Sequence, residues 1–346
     1  MNHRRLTAVL ALAASLLLPP LLAAPAAADP IADFYRGKNV SFLVGTSTGG
    51  GYDTLARVIA RFLGKYMPGN PTFVVRNMAG AGGITELNYI YNNAERDGSV
   101  IAMAQNNAPL EPLFGTREAR YDAIRLNWLG TPSFEVGMVL LWHSVPVNSL
   151  ADLRAKETSV GASGANSTPA FYARLLNATL GTRMKIINGY PGQNDAFLAM
   201  ERGELDGYPS VFVNSLNAIR PNWLRDKLAK PIVQYGSEKA AELGDLPFAP
   251  DLITDPDDKL LMDVALAQLA LGRPLVMPPD VPADRVAAMR QAMTATFADK
   301  EFLAECARLG LGINAPRTGE QLKDVIARAY NAPPRIIARL RQLNNP

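Results

Sequence analysis

Cysteine and histidine are nearly absent from this sequence. The 346 residues contain one cysteine, Cys306, and two histidines, so no internal disulfide can form. These residues are too few to provide the nitrogen and sulfur ligands of a zinc site. The acidic stretch 251–259 lacks the glycine and the terminal glutamate of a calcium loop. The sequence therefore predicts neither a metal site nor a cofactor.

A large excess of charge is also missing. Lys and Arg total 35 against 32 Asp and Glu, which gives a formal net charge of +3. A nucleic-acid-binding protein would carry a clustered basic surface, and the sequence has no such cluster. We therefore expect no nucleic-acid partner.

The only long apolar run lies at the amino terminus, from Leu6 to Leu22. Basic residues precede it, two prolines interrupt it, and a small-residue stretch ending at Ala28 follows. This order is typical of a secretory signal peptide and argues against a membrane anchor. No later segment has the roughly 18 apolar residues of a spanning helix. We predict a signal peptide at residues 1–28 and a periplasmic location.

After the signal peptide, short apolar runs alternate with helical patterns. This alternation predicts an α/β protein with mainly parallel sheets, and the length favours two domains. The residues VGMVLLW, 136–142, begin a second set of strands and helices. The last helix is predicted to begin at Thr318, because Thr318 and Gln321 have the spacing of a capping box.

Three turns rich in glycine or hydroxyl residues each join a predicted strand to a predicted helix. They are GTSTGGGYD (45–53), NMAGAGGITE (77–86) and GASGANSTPA (161–170). Backbone N–H groups in such turns, together with a helix amino terminus, can bind an anion. None of the turns contains Arg or Lys, so phosphate is disfavoured, and the first turn lacks the lysine of a P-loop. The alternative is that each turn is only a tight connection whose side chains cap the next helix.

The candidate ligand-binding residues come mainly from these turns. They are Thr46, Ser47, Thr48, Gly49, Gly50, Tyr52 and Asp53 in the first turn, Gly80, Ala81 and Gly82 in the second, and Ser163, Gly164, Asn166, Ser167 and Thr168 in the third. Further candidates are Tyr190, Asp195, Asp206 and Tyr208. The aromatic residues have core packing as their alternative role, and Asp53 is also well placed as a helix N-cap.

An enzyme must be considered because Gly45 to Gly49 match G-x-S-x-G, the nucleophile elbow of α/β-hydrolases, with Ser47 as the nucleophile. That mechanism requires a histidine base. The chain after residue 28 has one histidine, His143, which follows an apolar strand and is expected to be structural. We therefore predict no catalytic residues, and the hydrolase remains a minor alternative.

The turns, in this order and spacing, give the sequence a resemblance to a known family. With FYRGKNVSFLVG, NGYPGQNDAFLAMERGELDG and RPLVMPPDVPADRV, they resemble the solute-binding receptors of tripartite tricarboxylate transporters, the Bug family. The likeness covers nearly the whole chain after the signal peptide. It implies a two-lobed type II periplasmic-binding-protein fold with a ligand cleft between the lobes. Lobe 1 would comprise residues 29–136 and 258–346, and lobe 2 residues 137–257.

The resemblance also implies a function. The protein would bind a small organic carboxylate, a di- or tricarboxylate or an aromatic acid, through backbone amides, hydroxyls and water. It would act as a monomer and deliver the ligand to the permease subunits of the transporter. The sequence departs from the family at Thr46-Ser47-Thr48 and at GYPGQND, so the family's ligands do not transfer. A sensor that reports a bound carboxylate to a membrane signalling partner is the alternative.

Overall fold

The computed structural model describes residues 29–165, 167–213, 216 and 219–345. The predicted signal peptide and the candidate Asn166 therefore lie outside the described residues. Of the helices that the structure describes, none is both long and apolar enough to cross a membrane.

The described residues form eleven strands and twelve α-helices, which confirms the α/β class. The strands are β1 (Asn39–Val44), β2 (Thr72–Asn77), β3 (Val100–Met103), β4 (Asn127–Thr131), β5 (Val136–Trp142), β6 (Thr158–Ala162), β7 (Met184–Asn188), β8 (Gly207–Phe212), β9 (Ala229–Gly236), β10 (Leu275–Met277) and β11 (Arg317–Thr318). The helices are α1 (Pro30–Tyr35), α2 (Gly51–Tyr66), α3 (Ile84–Asn92), α4 (Glu111–Phe114), α5 (Leu150–Ala155), α6 (Thr168–Leu180), α7 (Gln193–Glu201), α8 (Pro256–Leu271), α9 (Ala283–Ala298), α10 (Lys300–Arg308), α11 (Gly319–Tyr330) and α12 (Pro334–Asn344).

The strands form two separate sheets. The first has the order β11-β4-β10-β3-β1-β2, and the second has the order β7-β6-β8-β5-β9. Parallel pairing joins β1 to β2 and β3, and β6 to β7 and β8. The other pairs, which involve β4, β5, β9, β10 and β11, are antiparallel. The prediction of mainly parallel sheets is therefore wrong, because several strands are not joined by the strand–helix–strand units that the alternation suggested.

The carboxyl edges of the two sheets lie next to each other. In the first sheet β3 and β4 both pair antiparallel with β10, so β4 ends at the edge where β1, β2 and β3 end. In the second sheet Gly137, near the start of β5, pairs with Phe212 at the end of β8, so β6, β7 and β8 end where β5 begins. Four residues, 132–135, connect β4 to β5 and span at most about 14 Å. Turns that follow strands in either sheet therefore share one region.

The chain passes this region a second time, between α8 and β10. Gly272 has a φ of +59°, and a Cβ at this position would lie 1.8 Å from the carbonyl oxygen of Ser133, so only glycine fits. The backbone N–H of Arg273 donates to Thr131 Oγ1 at 3.0 Å. The two connecting segments are thus in direct contact.

Buried side chains form the cores on which the two sheets rest. One cluster lies under β1, β3 and α2, and includes Phe42, Leu55 and Ile59. Another joins strands of the second sheet to helices from later in the chain, since Val139 and Leu261 belong to the same cluster. The second sheet is therefore packed against α8, which follows it in sequence.

Several elements differ from the sequence prediction. The strand β9 was not predicted. Pro231 lies within it, and within sheets proline is confined to edge strands. β9 is such an edge strand, with an irregular register opposite Val139 and Leu140. The capping box of Thr318 and Gln321 is confirmed, but α11 is not the last helix, because α12 follows and begins with proline at its first position.

Candidate ligand-binding site

The first turn is held by the carboxylate of Asp53, which is 2% exposed. Asp53 lies in the first turn of α2 and is not its N-cap, which is Gly50; that part of the prediction is wrong. Its Oδ2 accepts from the backbone N–H of Gly49 at 2.9 Å, and its Oδ1 accepts from Asn77 Nδ2 at 2.9 Å. Hydrogen bonds from Arg57, Gly49 and Asn77 lower the pKa of Asp53 to about 2.

Replacing Asp53 by Asn should destabilise the protein by about 1–3 kcal/mol at pH 7, because Arg57 and Gly49 lose a charged acceptor. Arg57 is half exposed, so solvent screens the charge and favours the lower value. The pKa is lower in the folded state, so the stabilisation is present above the unfolded pKa and is lost as pH falls toward 2. Urea unfolding at pH 7 and pH 3 tests this, with Asp33→Asn on the surface as the control. An equal loss at both pH values would contradict it.

The second turn lies beside the first, because β1 and β2 are neighbours in the sheet. Asn77 Nδ2 donates to the carbonyl of Thr46 at 2.9 Å, and Thr48 Oγ1 donates to Asn77 Oδ1 at 3.1 Å. Gly80, Ala81 and the two glycines that follow all have positive φ, 44° at Ala81. A positive φ is strained for alanine, and strained backbone of this kind is frequent at functional sites.

A third segment at this edge, 104–107, was missed by the sequence analysis. It follows β3, and Gln105 Nε2 donates to the carbonyl of Gly45 at 2.8 Å. Asn107 Nδ2 donates to the carbonyl of Gly82 at 3.3 Å. The segment has no glycine, so its only sequence signal was three consecutive amide side chains after an apolar strand. It connects the first and second turns.

Tyr52 joins the first turn to the segments between the sheets. Its hydroxyl donates to the carbonyl of Gly272 at 3.2 Å and accepts from the backbone N–H of Asn106 at 3.3 Å. Burial raises the pKa of Tyr52 to about 12, so the hydroxyl keeps its proton. The guanidinium of Arg273 lies over the Tyr52 ring, 5.6 Å from its centroid. Tyr52 therefore holds the backbone at Asn106 and Gly272, and the guanidinium of Arg273, at this edge of the sheet.

Glu86 lies beneath the first two turns. It is fully buried, and neither carboxyl oxygen has a hydrogen-bond partner among the described residues. A Cβ at Gly45 would lie 2.7 Å from Glu86 Oε2, so glycine is required where the turn crosses this carboxyl. Burial raises the pKa of Glu86 well above its usual value, which favours the neutral form.

The candidates from the second sheet follow β6 and β7. Ser167 Oγ donates to the carbonyl of Gly164 at 2.6 Å, and Ser163 and Thr168 are exposed. Thr168 begins α6 as predicted. The backbone N–H of Tyr190 donates to the carbonyl of Ala162 at 3.2 Å, so the turns after β6 and β7 lie side by side.

Two further candidates from this sheet lie away from these turns. Asp206 precedes β8 and is at the amino edge, where Ser159 donates to Asp206 Oδ2 from its backbone at 2.7 Å and from its hydroxyl at 2.8 Å. Tyr208 is 6% exposed and packs edge to face against Phe197. A third candidate from this sheet, Asp195, is exposed in the first turn of α7, which follows β7. The contacts of Asp206 and Tyr208 account for them as structural residues.

Buried polar atoms without a hydrogen-bond partner are concentrated in this region. Among the described residues they belong to Thr46, Glu86, Ser133, Gln193 and Arg273. Thr46 lies in the first turn and Glu86 at the end of the second, Ser133 and Arg273 lie in the two connecting segments, and Gln193 begins α7. Buried polar groups in folded proteins are almost always paired with protein or with ordered water, so water or a ligand in this region would complete the hydrogen bonding of these groups.

The hydrolase alternative fails on the position of the histidine. Ser47 lies at the carboxyl edge of the first sheet, whereas His143 follows the end of β5 that is distant from this edge. The seven residues of β5 span about 23 Å. His143 therefore cannot reach Ser47 as a base.

A cavity of about 540 Å³ lies elsewhere, between α8, α11 and the end of β9. Asp263, Arg317 and Arg328 are among its lining residues, and none of the candidate residues lines it. It is therefore separate from the candidate site.

No protein-family model and no curated protein matches the sequence, but solved structures are similar to it. A TctC solute-binding protein from Polaromonas has a TM-score of 0.68 at 19% identity, over 90% of this chain and 99% of that chain. MatC from Rhodopseudomonas palustris, with bound malate, has a TM-score of 0.56 at 20% identity, over 89% and 99% of the two chains. An R. palustris protein with adipate has a TM-score of 0.59 at 17% identity, over 88% and 97%.

These similarities establish the fold. The chain has the two-lobed, type II fold of periplasmic binding proteins, and its structural neighbours include TctC and BugD solute-binding proteins. The fold expected from the resemblance is confirmed.

Proposed function

We propose that this chain is a periplasmic solute-binding protein of the Bug family. It binds a small organic carboxylate between its lobes and delivers it, as a monomer, to the membrane permease of a tripartite tricarboxylate transporter. Residues 1–28 are its signal peptide, and lobe 2 comprises residues 137–257. It has no catalytic residues.

The arrangement of the turns carries this proposal. Three segments that follow strands of the first sheet and two that follow strands of the second lie at neighbouring edges. Together they present backbone N–H groups, hydroxyls and side-chain amides. α2 and α6 begin at this region, and each adds a partial positive charge from its amino terminus. Such a set of donors suits a carboxylate. The structural neighbours with bound malate and adipate support the same ligand class.

A thermal-shift screen tests the binding function. We expect at least one of malate, adipate, citrate and benzoate to raise the Tm by several degrees, because a ligand at 100 times its Kd stabilises the folded state by about 2.7 kcal/mol. Acetylated lysine methyl ester, which has no carboxylate, is the control. No shift with any organic acid up to millimolar concentration would contradict the proposed function.

A further inference from the structure

Arg273 has an unusual environment for a cation. It lies between α8 and β10, and because β10 runs antiparallel to β3, it is at the edge where β3 ends. Its Nη1 is buried and has no hydrogen-bond partner among the described residues. A guanidinium has five N–H donors, and a buried donor without an acceptor is unfavourable. Arg273 as a whole is partly exposed, so in this conformation it is Nη1 alone that is both buried and without an acceptor.

The guanidinium lies beside the amino terminus of α2. Nη2 is 3.4 Å from where a Cβ would stand on Gly51, the first residue of this 16-residue helix. The N–H groups of the first turn of a helix have no partner within the helix, and they carry about half a positive charge. Arg273 and α2 thus direct two kinds of positive donor toward one place.

The Arg273 side chain is held in this position by its neighbours. Its backbone N–H donates to Thr131 Oγ1, and its guanidinium lies over the ring of Tyr52, whose hydroxyl donates to the carbonyl of Gly272. A planar guanidinium fixed in this way can bind both oxygens of one carboxylate.

We propose that Arg273 is the ligand-binding cation of the site, and that it binds a ligand carboxylate together with the first N–H groups of α2. This inference rests on the proposed function and adds a side-chain charge to a site that the three turns alone would form from backbone and hydroxyl groups. The ligand is then an organic acid with at least one ionised carboxylate placed against Gly50 and Gly51.

Glu135 offers Arg273 a structural role that the experiment must separate from binding. Glu135 ends the segment between the sheets, and burial raises the pKa of its carboxyl while the charge on Arg273 opposes this shift. If Arg273 only compensates Glu135, the Arg273→Met variant loses stability, and Glu135→Gln in the same chain restores both stability and binding. If Arg273 binds the ligand, the double variant recovers stability without binding.

The test is calorimetric titration with malate, adipate, citrate and benzoate. Arg273→Met should weaken binding of the acid that the wild type binds by about 10- to 150-fold, which is the range for hydrogen bonds to a charged group. Arg273→Lys should recover part of the loss, because it keeps the charge without the bidentate geometry. Arg36→Met, which removes an exposed arginine before β1, is the matched control and should bind like the wild type.

The outcomes separate the two proposals. A wild type that binds an acid and a folded Arg273→Met that binds it within about threefold would overturn the role of Arg273 and leave the proposed function intact. Binding restored in Arg273→Met/Glu135→Gln would overturn it as well. A wild type that binds none of the four acids contradicts the proposed function itself, and the inference falls with it.

Discussion

Gly50→Val should abolish ligand binding and leave the protein folded. Gly50 is the N-cap of α2 with φ −81° and ψ 172°, a conformation that valine adopts without strain. A Cβ there would have only the carbonyl oxygen of Ser47 within 4 Å, at 3.9 Å, so the new side chain extends into open space over the first turn. That is the space a carboxylate needs to reach the N–H groups of α2. Loss of two such hydrogen bonds weakens binding by at least about 100-fold.

Circular dichroism and calorimetry with the acid found in the screen measure this effect. Gly50→Ala should bind with an intermediate affinity, because it adds one carbon. Ala151→Val introduces the same side chain at an exposed position of α5 and should bind normally, because α5 precedes β6 and therefore lies at the edge of the sheet opposite the turns. A folded Gly50→Val variant with wild-type affinity would mean that the ligand does not approach this turn.

Glu86→Gln should make the protein more stable at neutral pH. The folded protein keeps Glu86 protonated because its pKa is raised by burial, whereas the unfolded chain ionises it near pH 4.3. The contribution of Glu86 to stability is therefore complete below that pH and decreases as pH rises toward the folded pKa. Within this window the decrease is about 1.4 kcal/mol per pH unit. Glutamine has nearly the same shape and does not ionise.

Urea unfolding of both proteins between pH 4 and pH 8 tests this expectation. The difference in free energy of unfolding should grow in favour of Glu86→Gln as pH rises. Burial also raises the pKa of Glu135 and Asp263, so the wild-type slope alone does not identify Glu86, and the difference between the two proteins does. A constant difference across this range would show that Glu86 ionises with a normal pKa in the folded state.

Most of the fold was predictable because its signals are local. The sequence predicts helices at 84–92 and 168–180 and strands at 158–162 and 184–188, and α3, α6, β6 and β7 have these bounds. Two elements, β9 and α12, were not predicted. Each contains a proline, and an edge strand and the first turn of a helix both tolerate proline.

The candidate site was predictable only in part. Glycine-rich turns after strands are visible in the sequence, and the first two turns and the turn after β6 lie at neighbouring edges of the sheets. Arg273 was not among the candidates, because it comes to this edge through β10, whose partner β3 lies far earlier in the chain. Asp206 was a candidate, but it precedes β8, and a residue before a strand lies at the opposite edge from one after it. The spacing of residues along the sequence does not show in which direction β8 and β10 run within their sheets.

The contact between Gly272 and Ser133 has a consequence for any movement of the two sheets relative to each other. The segments 132–135 and 272–274, which run between the two sheets, touch at this point, so a rotation of one sheet relative to the other would have its axis near it. Arg273, the next residue, is close to that axis, whereas the turns after β2 and β7 are farther away. A carboxylate bound to Arg273 would keep its place while the outer turns approach it. The ligand carboxylate would then bind Arg273 first, and the outer turns would discriminate between ligands by shape in a second step.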